Sequence, residues 1–225
     1  MKWPQIKQYN GRDWPMKAAG LISDDINNVL SEQGKCSLML TGGRSAARLY
    51  KAWRDLTAFQ QMTDVSFYFG DERCVPSDHA ESNYGMVMQT LFQHRVLAGH
   101  SVFRMEADAT DHAAAAKRYA DLLPDSIDVL LLGVGEDGHI ASLFPNNASL
   151  QERKRRVIPI TGPKPPFKRL TITPQVISKE RSVFMLATRS AKAAMLCVAL
   201  NNPNCGPACE INIRWHLADG SHAAS

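Results

Sequence analysis

One histidine in this chain stands where it could do chemistry. His139 follows Asp137 by two residues in Gly133-Val134-Gly135-Glu136-Asp137-Gly138-His139, where three glycines fall within six residues. An imidazole titrates near neutral pH, so it can take a proton from water and return it to a leaving group. The other six histidines (His79, His94, His100, His112, His216 and His222) read as surface or helix-face residues. Metal ligation has little support: there is no H-x-x-x-H or paired C-x-x-C, and Cys205-x-x-x-Cys209 alone is weak. No G-x-S-x-G is present, so a serine nucleophile of that type is not indicated.

Three further segments carry groups that suit an anion. Thr41-Gly42-Gly43-Arg44-Ser45 combines two adjacent glycines with a cation and a hydroxyl at the start of a helical pattern. Glycine lets the backbone approach a bound group, and a helix start offers free N–H donors. Taken alone, this segment fits a phosphate cradle and an ordinary strand-to-helix turn capped by Ser45 equally well. It is neither G-x-G-x-x-G nor a Walker A loop, so neither a dinucleotide nor ATP is indicated. In Gly70-Asp71-Glu72-Arg73, the arginine could grip an oxyanion or phosphate through its fork of donors, with Asp71 or Glu72 positioning it. A solvated charged loop is the plainer alternative, and Ser82-Asn83 reads as a helix cap. Lys164-Pro165-Pro166-Phe167-Lys168-Arg169 places three cations beside a stiff diproline. The run Arg153-Lys154-Arg155-Arg156 reads as a solvated face, since no interleaved aromatics mark a nucleic-acid site.

The elements that must position these groups alternate. Residues 14–33 read as an amphipathic helix stopped by Gly34, Cys36–Leu40 as a buried strand, 45–58 as a helix and Val65–Phe69 as a second strand. Residues 83–94 and 111–123 follow as helices, and 127–132 as the most apolar strand. Residues 156–160, 169–173 and 182–187 are strand candidates, 191–200 a helix and 211–215 a last strand. Apolar strands alternating with helices imply an α/β fold with a mostly parallel central sheet flanked by helices. In such sheets ligands bind beyond the carboxyl ends of the strands, which is where the segments above lie. No linker divides the chain, so residues 1–225 are expected to form a single domain.

Composition closes off other classes. With 44% hydrophobic residues in 225, the chain can build a core. No apolar run approaches a membrane span, and the N-terminus lacks a signal-peptide h-region. The odd cysteine count (Cys36, Cys74, Cys197, Cys205, Cys209) reads as reduced thiols, implying a cytoplasmic protein. The net charge of +4 suits an anionic small molecule and is too weak to imply nucleic acid.

Taken together, Gly42-Gly43-Arg44-Ser45, Asp71-Glu72-Arg73 with Ser82-Asn83, Gly133-x-Gly135-x-Asp137-Gly138-His139 running into Ala141-Ser142-Leu143-Phe144-Pro145, and Lys164-Pro165-Pro166 with Arg169-Leu170-Thr171 resemble the 6-phosphogluconolactonase family. That family shares a modified Rossmann-type fold with glucosamine-6-phosphate deaminase. Arg73 and Ser142-Leu143-Phe144-Pro145 follow the lactonase pattern, where the deaminase has Asp-Glu-Tyr and Phe-Asn-Glu-Pro. The resemblance implies hydrolysis of 6-phospho-D-glucono-1,5-lactone in the oxidative pentose phosphate pathway, with this sugar phosphate lactone as the small-molecule partner and with no cofactor or metal. It implies His139 as the base that activates water, Asp137 as a residue that shapes the loop or biases the imidazole, and the glycine-loop amides and Arg73 as candidates for oxyanion or substrate-oxygen contact. Gly42, Gly43, Arg44, Ser45, Lys164 and Arg169 would hold the phosphate. A deaminase or isomerase, and a non-enzymatic sugar-phosphate effector domain, are the alternatives the same scaffold permits.

Overall fold

The computed structural model describes residues 13–178 and 181–186. The expected elements at 191–200 and 211–215 lie outside these residues. Helix α1 (Trp14–Gln33) opens with a proline in its first turn and ends at Gly34, whose φ of 72° makes the left-handed cap that the sequence marks. Its apolar stripe buries Ile22, Ile26 and Val29, with Leu21 and Leu30 packed at the margin.

Strands β1 (Cys36–Leu40) and β2 (Val65–Phe69) have the bounds read from sequence. Between them the expected helix 45–58 is two helices, α2 (Arg44–Arg54) and α3 (Thr57–Gln60), because the first ends at Asp55. The three-residue strand β3 (Asp71–Arg73) comes next, followed by α4 (Asn83–Thr90), shorter than the 83–94 expected. Positive φ at Gln93 and His94 ends any continuation of α4. Then follow β4 (Ser101–Val102), α5 (His112–Leu122), β5 (Val129–Gly133), β6 (Val157–Thr161), β7 (Lys168–Ile172), α6 (Pro174–Ile177) and β8 (Ser182–Leu186).

These strands form two sheets. The first has five strands in the order β4-β2-β1-β5-β8, and every pairing is parallel. The chain runs outward from β1 through β2 to β4, then returns to β5 and β8 on the other side of β1. The order therefore reverses between β1 and β5, the position at which open α/β sheets bind ligands. The second sheet has three antiparallel strands in the order β3-β7-β6. This corrects the reading of Asp71-Glu72-Arg73 as a loop: Asp71 pairs with Thr171, Glu72 with Leu170 and Arg73 with Arg169. Such non-local pairing leaves no periodicity in three residues. The basic run is corrected in part as well. Arg153 and Arg155 are exposed, but Arg156 donates to the carbonyls of Leu123 and Pro124 and so ties β6 to the end of α5.

Two buried tyrosines hold the strand ends from which the functional loops depart. The Tyr50 hydroxyl, on α2, accepts the Thr41 N–H at 3.0 Å and donates to the Thr41 carbonyl at 2.8 Å. The Tyr119 hydroxyl, on α5, does the same for Phe69, at 2.7 and 3.2 Å. Burial pushes both phenols well above their ordinary pKa, so they remain O–H donors. Replacing Tyr50 with Phe strands a buried N–H and a buried C=O. It should lower unfolding stability by about 1–3 kcal/mol, read as a lower urea midpoint at unchanged m-value.

Candidate active site

The carboxyl ends of β1 and β5 carry the two glycine segments, and the Thr41 hydroxyl joins them by accepting the Gly133 N–H at 3.0 Å. Between these segments and the second sheet lies a cleft of about 520 Å³. Gly42, Gly43, Arg44, Ser45, Arg73, His139 and Arg169 all line it, as do Asp71, Asn83 and Glu81. Asp137 stands behind His139, and it faces a neighbouring depression with Phe144. Lys164 is exposed and does not line the cleft; its carbonyl accepts a bond from Arg169 at 3.3 Å.

His139 is held on two sides. Its Nδ1 lies 2.5 Å from Asp137 Oδ1, and its ring packs on Phe144 with centroids 4.8 Å apart. Burial alone would raise the Asp137 carboxyl. The hydrogen bond to His139 and the charge it can carry outweigh this and hold the carboxyl below its ordinary value. The glycine at 135 is a steric requirement. A Cβ there would lie 2.1 Å from His139 Nδ1 and 2.6 Å from Asp137 Oδ1, so any side chain displaces the pair.

The acidic residues of β3 do different work from that expected. Neither Asp71 nor Glu72 holds the Arg73 guanidinium, whose Nη1 instead donates to the Glu81 carbonyl at 2.7 Å. Glu72 faces the start of α4, accepting the N–H groups of Asn83 and Tyr84, each at 2.8 Å, and the Ser82 hydroxyl at 3.1 Å. Burial pushes its carboxyl above the ordinary value against the pull of these backbone bonds. Ser82 caps the same helix as expected, accepting the Gly85 N–H at 3.0 Å.

Asp71 is a buried junction. It accepts the Ser142 hydroxyl at 2.6 Å, and its side chain and carbonyl both accept Asn83 Nδ2, at 3.1 and 2.9 Å. Asn83 is therefore more than a cap. Its Oδ1 sits so close over Gly42 that a Cβ there would meet it at 2.0 Å.

Arg169 reaches the cleft from β7. Its guanidinium donates to the Pro166 carbonyl at 3.0 Å, contacts Ser142 Oγ at 3.5 Å and lies over the Phe144 ring, 5.6 Å from the centroid. Burial lowers its pKa and the Arg73 charge adds to this, while Asp71, Glu81 and Asp137 oppose it. Asn83, Ser142, Phe144 and Glu81 were not singled out as site residues from sequence. Asn83, Ser142 and Phe144, all within the segments that carry the family resemblance, had a signal that could have flagged them; Glu81 had none.

Burial pushes the Cys36 and Cys74 thiols up to about 12 and about 11, so neither is a thiolate near neutral pH. Among the described residues no three His, Cys, Asp or Glu side chains are grouped to hold a metal ion, and no helix is long and apolar enough to cross a membrane.

A doubly wound parallel sheet with a basic cleft at its reversal point and a carboxylate-backed histidine in that cleft defines an α/β protein built to act on a small anionic ligand. Residues 11–216 match the family of glucosamine-6-phosphate isomerases and 6-phosphogluconolactonase, and the chain belongs to that family. It is 32% identical over 189 residues to the 6-phosphogluconolactonase of Pseudomonas aeruginosa, covering 81% of this chain and 79% of that protein. Against the 6-phosphogluconolactonase of Rattus norvegicus it is 38% identical over 179 residues, covering 73% and 68%. The solved 6-phosphogluconolactonase of Trypanosoma brucei superposes with a TM-score of 0.81 at 27% identity, covering 97% of each chain.

The pairing in this site has a spectroscopic consequence. Removing the imidazole in His139→Ala leaves Asp137 with burial as its main perturbation, so its carboxyl pKa should rise. A carboxyl ¹³C NMR titration showing it unchanged or lower would contradict the pairing.

Proposed function

We propose that this chain hydrolyses 6-phospho-D-glucono-1,5-lactone to 6-phospho-D-gluconate, in the oxidative pentose phosphate pathway. The observation that carries the reading is a histidine backed by a carboxylate and facing a cleft lined by Arg44, Arg73 and Arg169. Family membership supports it, as do the names of the bacterial and mammalian relatives.

Asp137 engages Nδ1 of His139, which leaves Nε2 to accept a proton. As water attacks the lactone carbonyl carbon, one of its protons passes to Nε2 and a tetrahedral oxyanion forms. Arg73, which lines the cleft, is assigned to stabilise this charge, since the N–H groups of Gly133, Val134, Gly135 and Gly138 already donate within the protein. Collapse breaks the bond between the carbonyl carbon and the ring oxygen, and Nε2 returns its proton to that oxygen. The reaction forms one C–O bond, breaks another and moves protons without any change of oxidation state, so the chemistry calls for no redox group.

The phosphate is assigned to the start of α2, with Gly42, Gly43, Arg44 and Ser45, and to Arg169. The contrast between two helix ends supports this placement. The first N–H groups of α4 are taken by Glu72 and Ser82, whereas Gly43, the N-cap of α2, provides no side-chain cap. Lys164 lies outside the cleft lining, so its part in the reading is long-range attraction of the dianion rather than contact. All these groups are assigned to one domain spanning the chain.

The reading is tested by following freshly generated 6-phosphogluconolactone, corrected for spontaneous hydrolysis, alongside unphosphorylated gluconolactone. A clear preference for the phosphorylated lactone is expected, and equal turnover of both contradicts the phosphate assignment. His139→Ala should lower kcat by ~10²–10⁴-fold with modest change in KM; unchanged turnover removes His139 from the mechanism. Arg169→Ala should mainly raise KM, and an effect confined to kcat would count against phosphate binding.

A further inference from the structure

Arg73 and Arg169 are directly opposed across the β3–β7 pair. Opposed residues of an antiparallel pair project from the same face, where like charges repel. Arg73 Nε is buried and finds no partner among the described residues. The closest carboxylate to the Arg73 guanidinium is that of Glu81, 3.7 Å away on a side chain 55% exposed. Glu81 also lines the cleft. Its two contacts with Arg73 differ in kind. The main-chain carbonyl makes the short directional bond at 2.7 Å, whereas the carboxylate lies beyond hydrogen-bond distance and contributes charge alone. A partly exposed pair of this type adds little to stability. It does put a negative charge where an anionic ligand must come.

The reaction proposed above changes the ligand's charge, and the present inference rests on that reading. The lactone carries only the phosphate dianion. Addition of water converts the ring ester to a hydroxy acid, whose carboxylate adds a third negative charge near neutral pH. We propose that Glu81 is a specificity-determining residue: its carboxylate serves as the counter-ion of the arginine pair in the empty cleft and disfavours the ring-opened acid relative to the lactone. The arginines would otherwise hold the product more tightly than the substrate, because the product offers them one more anionic group. A fixed carboxylate in the cleft offsets this excess and leaves the donors of Arg73 available to the neutral carbonyl.

The test is Glu81→Gln in the full-length protein. The substitution keeps the main-chain carbonyl that anchors Arg73 and removes only the charge. KM for the lactone and the competitive Ki for 6-phosphogluconate are measured at one ionic strength. Coulomb's law for one added charge a few ångströms away, at intermediate to high effective dielectric, gives about a threefold to thirtyfold fall in Ki. KM should fall less, so the ratio KM/Ki rises, while Glu81→Asp should stay near the wild-type ratio. A ratio unmoved by Glu81→Gln in an enzyme that hydrolyses the lactone overturns the role of Glu81 alone. Wild-type protein with no lactonase activity overturns that role together with the reading it rests on.

Discussion

Asp71 carries a carboxyl group almost withdrawn from water, and its oxygens accept from two different segments of the chain. One bond comes from Ser142, three residues after His139, and the other from Asn83 at the start of α4. A buried carboxyl is tolerated only when its oxygens are satisfied. Both segments are therefore held to β3 by a strong electrostatic demand. Ser142 passes the constraint on, since its N–H donates to Thr171 and its hydroxyl lies near Arg169. Asn83 passes it to the phosphate-type loop by seating its Oδ1 over Gly42. The histidine loop, the arginine strand and the glycine loop thus share one anchor.

The two sheets divide the chemistry. The parallel sheet ends in two glycine-rich loops, one opening α2 and the other carrying His139, because strands buried on both faces must place their functional groups at their ends. The small antiparallel sheet supplies side chains from one face of its strands, and these are the arginines. A parallel sheet alone would leave the cleft with donors and little fixed positive charge. An isolated three-stranded sheet would have charge and no rigid floor. Phe144 bridges the halves, with the His139 ring packed on it and the Arg169 guanidinium over it.

Glu72 shows why charge runs mislead. In sequence, Asp71-Glu72-Arg73 offers three adjacent charges of equal apparent accessibility. In the fold they alternate across a strand. Asp71 and Arg73 share the cleft side, while Glu72 turns to the N-terminus of α4 and is consumed in capping it. The start of α2, by contrast, has no side-chain cap. The acid beside Arg73 is Glu81, supplied by the segment that connects β3 to α4.

The sequence by itself determined four of the five strands of the parallel sheet (β1, β2, β5 and β8), most of the helices between them, the glycine segments after β1 and β5, and the singular position of His139. These follow from local causes: apolar periodicity, β-branched and aromatic content, and glycines that admit close backbone approach. The strand at Asp71–Arg73 and its pairing with Lys168–Ile172 were decided by contacts between residues about one hundred positions apart. Which carboxyl serves as junction, cap or counter-ion was likewise decided by tertiary structure. Composition is the same for all three. Their roles differ because burial, strand alternation and the donors they meet are set only when the two sheets come together.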